Sequence, residues 1–486
     1  MALAAALATG FSQAYGAGFA LIEQNASGLG NAYAGAAVTA EDASTIYFNP
    51  AGLTALPAGK HVVFALHALD PSAQFRDGAS LSAAGIRPPG LANLYTSSGA
   101  GGDAGSTAFV PNAYFAMSID PRWSIGIGLS APFGLKTQYD DNWIGRFQGI
   151  KSDLKTLNVN PTVAYKVDDQ ISLGFGLNYQ QIEATLTKAV NYTAVVGAAS
   201  LASAVAIGNV EGRNELKGKD TAWGYNLGGT FRVSDSTRLG IAYRSAIKYR
   251  LTGTHKATHP VTGVAVADAI IAGNPGTLDQ SISIDAKMPD TFSFSALHRL
   301  SDKWDLLGDL SWTGWAKIAE LRVKFTAAGA ADDVTQLKFR NTVRTSIGAN
   351  YRYSESVKLR FGLAYDQSPV ADQYRTVRLP DNNRTWLSFG TQYKPSKQGT
   401  VDAGLAYLMV KDGSINNNGE VAATALGFPR GRIDGSYNNS VRILSVLKST
   451  EFSPRFQGDT DWGNCWSSSS IQRSVSRFNS SNCPGE

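Results

Sequence analysis

The sequence predicts an all-β fold: a 14-stranded antiparallel transmembrane β-barrel with its N-terminal stretch folded inside as a plug. Three observations carry this. Strand-like runs with two-residue alternation recur along the chain. The connections between them are short and long by turns. The composition, with 50 Gly, 10% aromatic and only 17% charged residues in 486, departs from that of a soluble globular protein. A mean hydropathy of −0.14 fits a barrel, because lipid-facing and lumen-facing residues alternate and cancel. No run of about 18 apolar residues follows the first few dozen positions, so no membrane-spanning helix is expected there. The net charge of +5 is modest, and no basic block points to nucleic acid.

In order, residues 1–16 read as an apolar signal core ending in a small-x-small site at Ala14-Tyr15-Gly16. No Lys or Arg precedes Lys60 to give that core a basic start. Residues 17–56 are rich in Gly, Ala, Ser and Asn and keep no hydrophobic period for long. Apolar anchors such as Phe19, Leu21, Leu29, Tyr33 and Ile46 are spread through them. Small residues between isolated anchors suit a segment packed inside something larger, where backbone approaches walls closely. Residues 57–452 supply the wall, and 453–486 form a Ser-rich polar tail.

The wall opens with runs at 61–69, 108–119, 123–131, 154–167 and 171–188. Short turns fall at Asp120-Pro121-Arg122, Asp168-Asp169-Gln170, Ser234-Asp235-Ser236, Ser301-Asp302-Lys303, Ser354-Glu355-Ser356 and 395–399. Long connections fall near 70–107, 134–152, 189–218, 254–278, 327–335, 367–382 and 411–435. Fourteen strands result, with six short periplasmic turns and seven long external loops. A soluble sandwich would not put every long loop on one side. In 345–353 the odd positions are mostly apolar or aromatic and the even ones small or polar, and 359–366 behaves likewise. The first set is expected to face lipid and the second the lumen. Trp123, Trp304, Tyr351, Tyr353 and Tyr393 near strand ends fit an interfacial girdle.

Two external loops, 192–209 and 260–273, are rich in Ala, Val and Ile and predict short apolar helices. Two readings stand: a lid of helices packed on each other, or a groove that first captures a greasy ligand. Material for catalysis is scarce, with five His and two Cys in the chain. His255 and His259 have the i, i+4 spacing of a metal pair on a helix, yet Pro260 and the lack of a Cys or Glu partner favour loop surface. No G-x-S-x-G occurs. The expectation is a protein with no metal, no cofactor and no enzymatic activity. Cys465 and Cys483 both lie in the tail, where a disulfide and a disordered stretch are both open readings.

The AGF start at Ala17, the SGLGNAYAG run and above all Asn49-Pro50-Ala51 resemble the N-terminal hatch of the FadL family, outer-membrane transporters of long-chain fatty acids and other hydrophobic compounds. The resemblance returns at Tyr243-Arg244-Ser245, Met288-Pro289-Asp290 and Trp312-Thr313-Gly314-Trp315. It is strongest from Asp366 to Val370 and from Leu379 to Ser388, and it covers about 17–447. It implies passive uptake in the bacterial outer membrane: capture by external loops, binding in an apolar pocket, and release gated by a hatch of which Asn49, Pro50 and Ala51 are the gating residues. In the family, release runs through a kink in the third strand, and Pro132-Phe133-Gly134 sits at that strand's end.

Continuing the register of 345–353 backwards places Lys338, Arg340, Thr342 and Arg344 toward the lumen. The family's carboxylate-binding Lys lies in this segment, so the resemblance implies Arg340 for that role, with Lys338 and Arg344 next. An Arg340 paired to Glu41 or Asp42 of the hatch is an equal alternative. Lys188 is the nearest match to a second family cation on the fifth strand, and Phe19 of the hatch is counted with the ligand-binding residues. Implied partners are hydrophobic small molecules, outer-membrane lipid and the barrel assembly machinery, with the chain a monomer. The closing strand departs from the family pattern, since Lys448 and Thr450 take lipid-facing places where aromatics are expected. Assembly is therefore in question, with Phe452 the candidate closing aromatic. A general porin for hydrophilic solutes is the rival reading and a lipid-modifying barrel enzyme the third.

Overall fold

The computed structural model describes residues 17–81, 99–396, 398–419 and 430–452. The signal-core reading and the cysteine-bearing tail lie outside them. The barrel comprises β1 (Lys60–Asp77), β2 (Ala108–Ser118), β3 (Trp123–Ser130 and Gly134–Gln138), β4 (Lys151–Lys166), β5 (Ile171–Asn191), β6 (Glu211–Arg232) and β7 (Thr237–Arg244 and Ile247–Thr258). It continues with β8 (Gln280–Met288 and Thr291–Arg299), β9 (Trp304–Thr313 and Glu320–Phe325), β10 (Asp333–Gln336 and Thr342–Arg352) and β11 (Val357–Asp366). β12 (Arg384–Ser396), β13 (Gly399–Val410 and Gly413–Asn417) and β14 (Ile433–Phe452) complete it. Every pairing is between neighbours and antiparallel, and β14 returns to β1 from Lys60↔Phe452 to Asp77↔Gly435. The sheet is closed at fourteen strands. Phe452 does end the closing strand, and Lys448 outside it does not prevent the ladder from completing.

Alternation builds the wall. Phe361, Leu363 and Tyr365 of β11 are exposed outward, while Arg360, Ala364 and Asp366 are buried inside. The short turns are made by side chains that bond their own backbone. Asp120 Oδ1 accepts from Arg122 N and Trp123 N at 2.7 and 2.8 Å, and Asp168 Oδ1 accepts from Gln170 N and Ile171 N, both at 2.8 Å. Trp123 packs tilted against Tyr165 and Trp304 against Tyr351 beside the short turns, forming the periplasmic belt. Tyr179 and Trp223, packed at 4.9 Å, mark the outer one.

Inside the wall runs the N-terminal segment, with α1 (Ala26–Leu29), α2 (Thr45–Phe48) and a 3-10 turn at Pro50–Ala55. It touches the wall on all sides: Asn112 of β2 donates to Glu23 O, Asn31 to Ala349 O and Phe361 O, and Ser295 of β8 accepts from Ala37 N. A methyl on wall residue Gly362 would overlap the Asn31 backbone, so a glycine there lets the segment seat. In the external loops, α3 (Tyr192–Ala199), α4 (Leu201–Ile207) and α5 (Ala265–Gly273) bury Tyr192, Val196, Ala204, Ala267 and Ile271 against one another. His255 is a buried β7 residue bonded to Leu278 O and His259 lies beyond the strand end, so their spacing is not helical.

Candidate ligand pocket and its hatch

In the outer half of the barrel, inward residues of β3–β10 and the external segment before β12 enclose a cavity of about 400 Å³. Leu135, Ile182, Leu251, Ile284, Met288 and Phe339 form its greasy lining. Its floor is Phe19, set edge-on to Trp315 at 4.8 Å and 6.1 Å from Phe133. Phe19, counted among the ligand-binding residues in the sequence, is one of the residues that line this cavity.

The expected cations do not converge there. Lys338 has φ +40°, left-handed backbone that a side chain rarely adopts, and the second part of β10 begins only at Thr342. The extrapolated register is lost across this break. Phe339 turns into the pocket, while Lys338 and Arg340 are exposed; Arg340 Nε donates to Ser368 O at 3.1 Å, and Lys338 Nζ lies 5.0 Å from the Tyr374 ring centre. The inward placing of Lys338 and Arg340 is therefore corrected. Glu41 is held by Lys358 at 3.0 Å and Arg360 at 2.5 Å, not by Arg340, and Asp42 caps Ser44 N. Arg344 does face inward, donating to Ala32 O at 2.7 Å with its guanidinium 5.0 Å from the Trp386 ring centre; it binds the hatch below the pocket. Lys188 is neutralised by Asp333 at 2.5 Å, with Arg430 on the same carboxylate at 3.0 Å.

Sequence reasoning missed Arg378, on the segment between β11 and β12. It lines the cavity, and its bonds go to Lys151 O, Ser152 Oγ and Thr187 O, all neutral acceptors, at 2.9–3.1 Å. Among the described residues no carboxylate lies within ion-pair distance of it. Burial pulls its guanidinium down to about 10, with the more distant Asp333 acting against the shift and Arg430 with it. Lys317, also at the cavity, is already paired with Asp290, and Lys248 and Lys287 occupy outward strand positions. No periodicity marks the loop that carries Arg378; its position just before Leu379-Pro380-Asp381 was the available signal.

The wall breaks beside the pocket floor. Between the pairs Ser130↔Asn158 and Gly134↔Lys155, β3 advances four residues and β4 three. The ladder from β2 to β3 ends at Ala113↔Leu129, so Ala108–Asn112 has no β3 partner and the outer part of β3 is paired on the β4 side alone. The backbone groups freed by the break are taken by the hatch: Leu21 N donates to Pro132 O at 2.8 Å, Gln24 Nε2 to Ala131 O at 3.2 Å, and Gly134 N to Phe19 O at 2.9 Å. Buried peptide groups require such partners, so hatch and gap are coupled.

Asn49 fixes the other end of the hatch. Its amide donates to Ala37 O at 2.6 Å, Gly229 O at 3.1 Å and Ile241 O at 3.2 Å, while its Oδ1 accepts from Ala51 N. Pro50 opens the 3-10 turn that follows. Asp381 accepts from Gly18 N at 2.8 Å and Ser368 Oγ at 2.6 Å and pairs with Arg384, tying the hatch's start to the recognisable late segment. Among the described residues no group of three His, Cys, Asp or Glu could hold a metal.

The family described as outer membrane protein transport protein (OMPP1/FadL/TodX) matches residues 5–452. The chain belongs to the FadL family. FadL-family relatives include the Long-chain fatty acid transport protein of Salmonella typhi, 29% identical over 85% of this chain and 92% of its own. Outer membrane protein P1 of Haemophilus influenzae is 32% identical over 85% and 89%. Among solved structures, a Pseudomonas aeruginosa FadL homologue superposes with a TM-score of 0.79 at 23% identity, over 90% of this chain and all of the other. The Ralstonia pickettii toluene transporter TbuX gives 0.62 at 18% identity over 89% and 100%. These likenesses bear out the fourteen-stranded fold and the outer-membrane location, and the Salmonella relative and TbuX are named as transporters.

Proposed function

We propose that this FadL-family channel takes up long-chain fatty acids, reading the carboxylate with Arg378 and releasing the ligand sideways through the break in β3. Arg378 is the observation that carries the choice of ligand. A fatty acid gains about 0.8 kcal/mol for each methylene it buries, but its carboxylate is costly to desolvate without a cation. A neutral aromatic hydrocarbon has no use for a buried guanidinium. Exposed Leu201, Val205 and Val266 on α4 and α5 offer the first apolar contact outside. The ligand then enters the cavity, and movement of Phe19 and the hatch uncovers the gap between β2 and β3. Asn49, Pro50 and Ala51 hold the hatch's far end in place. No catalysis is involved, and the chain acts as a monomer once the barrel assembly machinery has inserted it.

The test is a pair of dissociation constants, oleate and toluene, for the wild type and Arg378→Met in detergent. Losing a charge-assisted bond costs about 1.5–3 kcal/mol, so oleate should weaken about tenfold or more while toluene holds. Equal losses would make Arg378 a loop staple, and loss for neither would place the anion site elsewhere.

A further inference from the structure

Above the outer aromatic belt, the lipid-facing wall of β6–β8 turns abruptly from apolar to basic. On β6 the outward positions run Leu227, Tyr225, Trp223, then Thr221 and Lys219. On β7, Tyr243 is followed past the strand's break by Lys248 and Arg250; on β8, Phe294 and Phe292 are followed by Lys287. Alternation settles the direction of these side chains. Ile247, Tyr249 and Leu251 are buried in the cavity wall, which leaves Lys248 and Arg250 on the opposite face, and Ile284 and Met288 do the same for Asp285 and Lys287.

Lys248 and Lys287 are direct partners in the β7–β8 ladder. Like charges opposite one another repel, and here no acid intervenes: among the described residues neither lysine has a carboxylate within ion-pair distance, nor do Lys219 and Arg250. Four acids stand nearby. Asp285 faces Arg250 across the ladder but pairs with Lys324 at 2.8 Å, and Glu183 is opposite Lys219. Asp220 accepts from Arg250 N at 2.7 Å, and Asp290, 3.4 Å from Tyr243 Oη, is paired with Lys317. The patch keeps an excess of positive charge, on the long-loop side of the membrane and directly over an apolar surface.

We propose that this face binds a phosphorylated glycolipid of the outer leaflet, lipopolysaccharide, with a lipid A phosphate between Lys248 and Lys287 and acyl chains on Tyr243 and Phe292. An amphiphile matches both halves of the patch, cations above and apolar wall below; a free anion would match the upper half alone. The lysine side chains project outside the barrel, while the strand positions that carry them also line the pocket within.

The experiment is native mass spectrometry of the purified full chain in detergent with bisphosphorylated lipid A, phosphate-free lipid A, or inorganic phosphate as competitor. Wild type should retain one lipid A, about tenfold more than the Lys248→Ala/Lys287→Ala variant at equal folded fraction by heat-modifiability. It should discriminate against the phosphate-free lipid, and millimolar phosphate should not displace the bound one. Equal retention by the variant, equal retention of phosphate-free lipid, or ready displacement by phosphate would each overturn the proposal. The two lipid arms need only wild-type protein, so they decide even if the variant fails to fold.

Discussion

At the scale of single residues, the hatch contains a carboxyl group in an unusual state. Glu23 is fully buried, and neither of its oxygens has a hydrogen-bond partner among the described residues. Burial raises its carboxyl to about 7 from an ordinary 4.5, although Arg344 and Arg384 pull the other way. The docked hatch therefore favours the protonated acid. Its stability is fullest below about 4.5 and falls as the pH rises toward about 7, by about 3 kcal/mol in all. Hydrogen exchange at the amides of residues 21–30, corrected for intrinsic rates, should quicken across that window, and Glu23→Gln should flatten the dependence. An unchanged pH profile in the variant would locate the titration elsewhere. Residue positions were only partly legible in the sequence. Asn49 and Phe19 were legible as parts of the N-terminal plug, because a distinctive local motif or an isolated aromatic carries its own signal. Arg340 was not, because a single left-handed residue at Lys338 ends the register from which its direction was inferred.

At the scale of elements, strand count and turns could be read because alternation and side-chain-capped turns are local. The interruptions in β7, β8, β9 and β10 could not, since each is defined by register with a neighbour. Between Asn226↔Arg244 and Lys219↔Thr252, for instance, β7 advances eight residues and β6 seven, which flips every later side chain. The closing strand shows the reverse case. Its polar outward residues read as a defect, yet eighteen consecutive pairs join it to β1 as far as Phe452. Truncation after Phe452 should leave the folded, heat-modifiable fraction in outer membranes unchanged. A marked drop would mean that residues beyond the strand take part in assembly.

At the scale of the whole molecule, the N-terminal segment bonds to the wall at β2, at β6 to β8, at β10 and β11, and at the break in β3, so it lies across the lumen and bonds the edges of the gap at once. Deleting residues 17–56 should turn the barrel into a conducting pore in planar bilayers. Conductance equal to wild type would show that the external loops alone seal it. The central claim is that a ligand held over Phe19 leaves through the wall, and β3's extra residue is what makes the opening. Deleting Pro132 restores one-to-one register with β4 and lets β3 run on beside β2. The decisive measurement is radiolabelled oleate uptake by cells dependent on this chain, with oleate binding measured on the same purified variant. Binding close to wild type with uptake lowered about tenfold or more is the predicted result. Uptake at the wild-type rate by a folded, oleate-binding Pro132-deletion protein would contradict it.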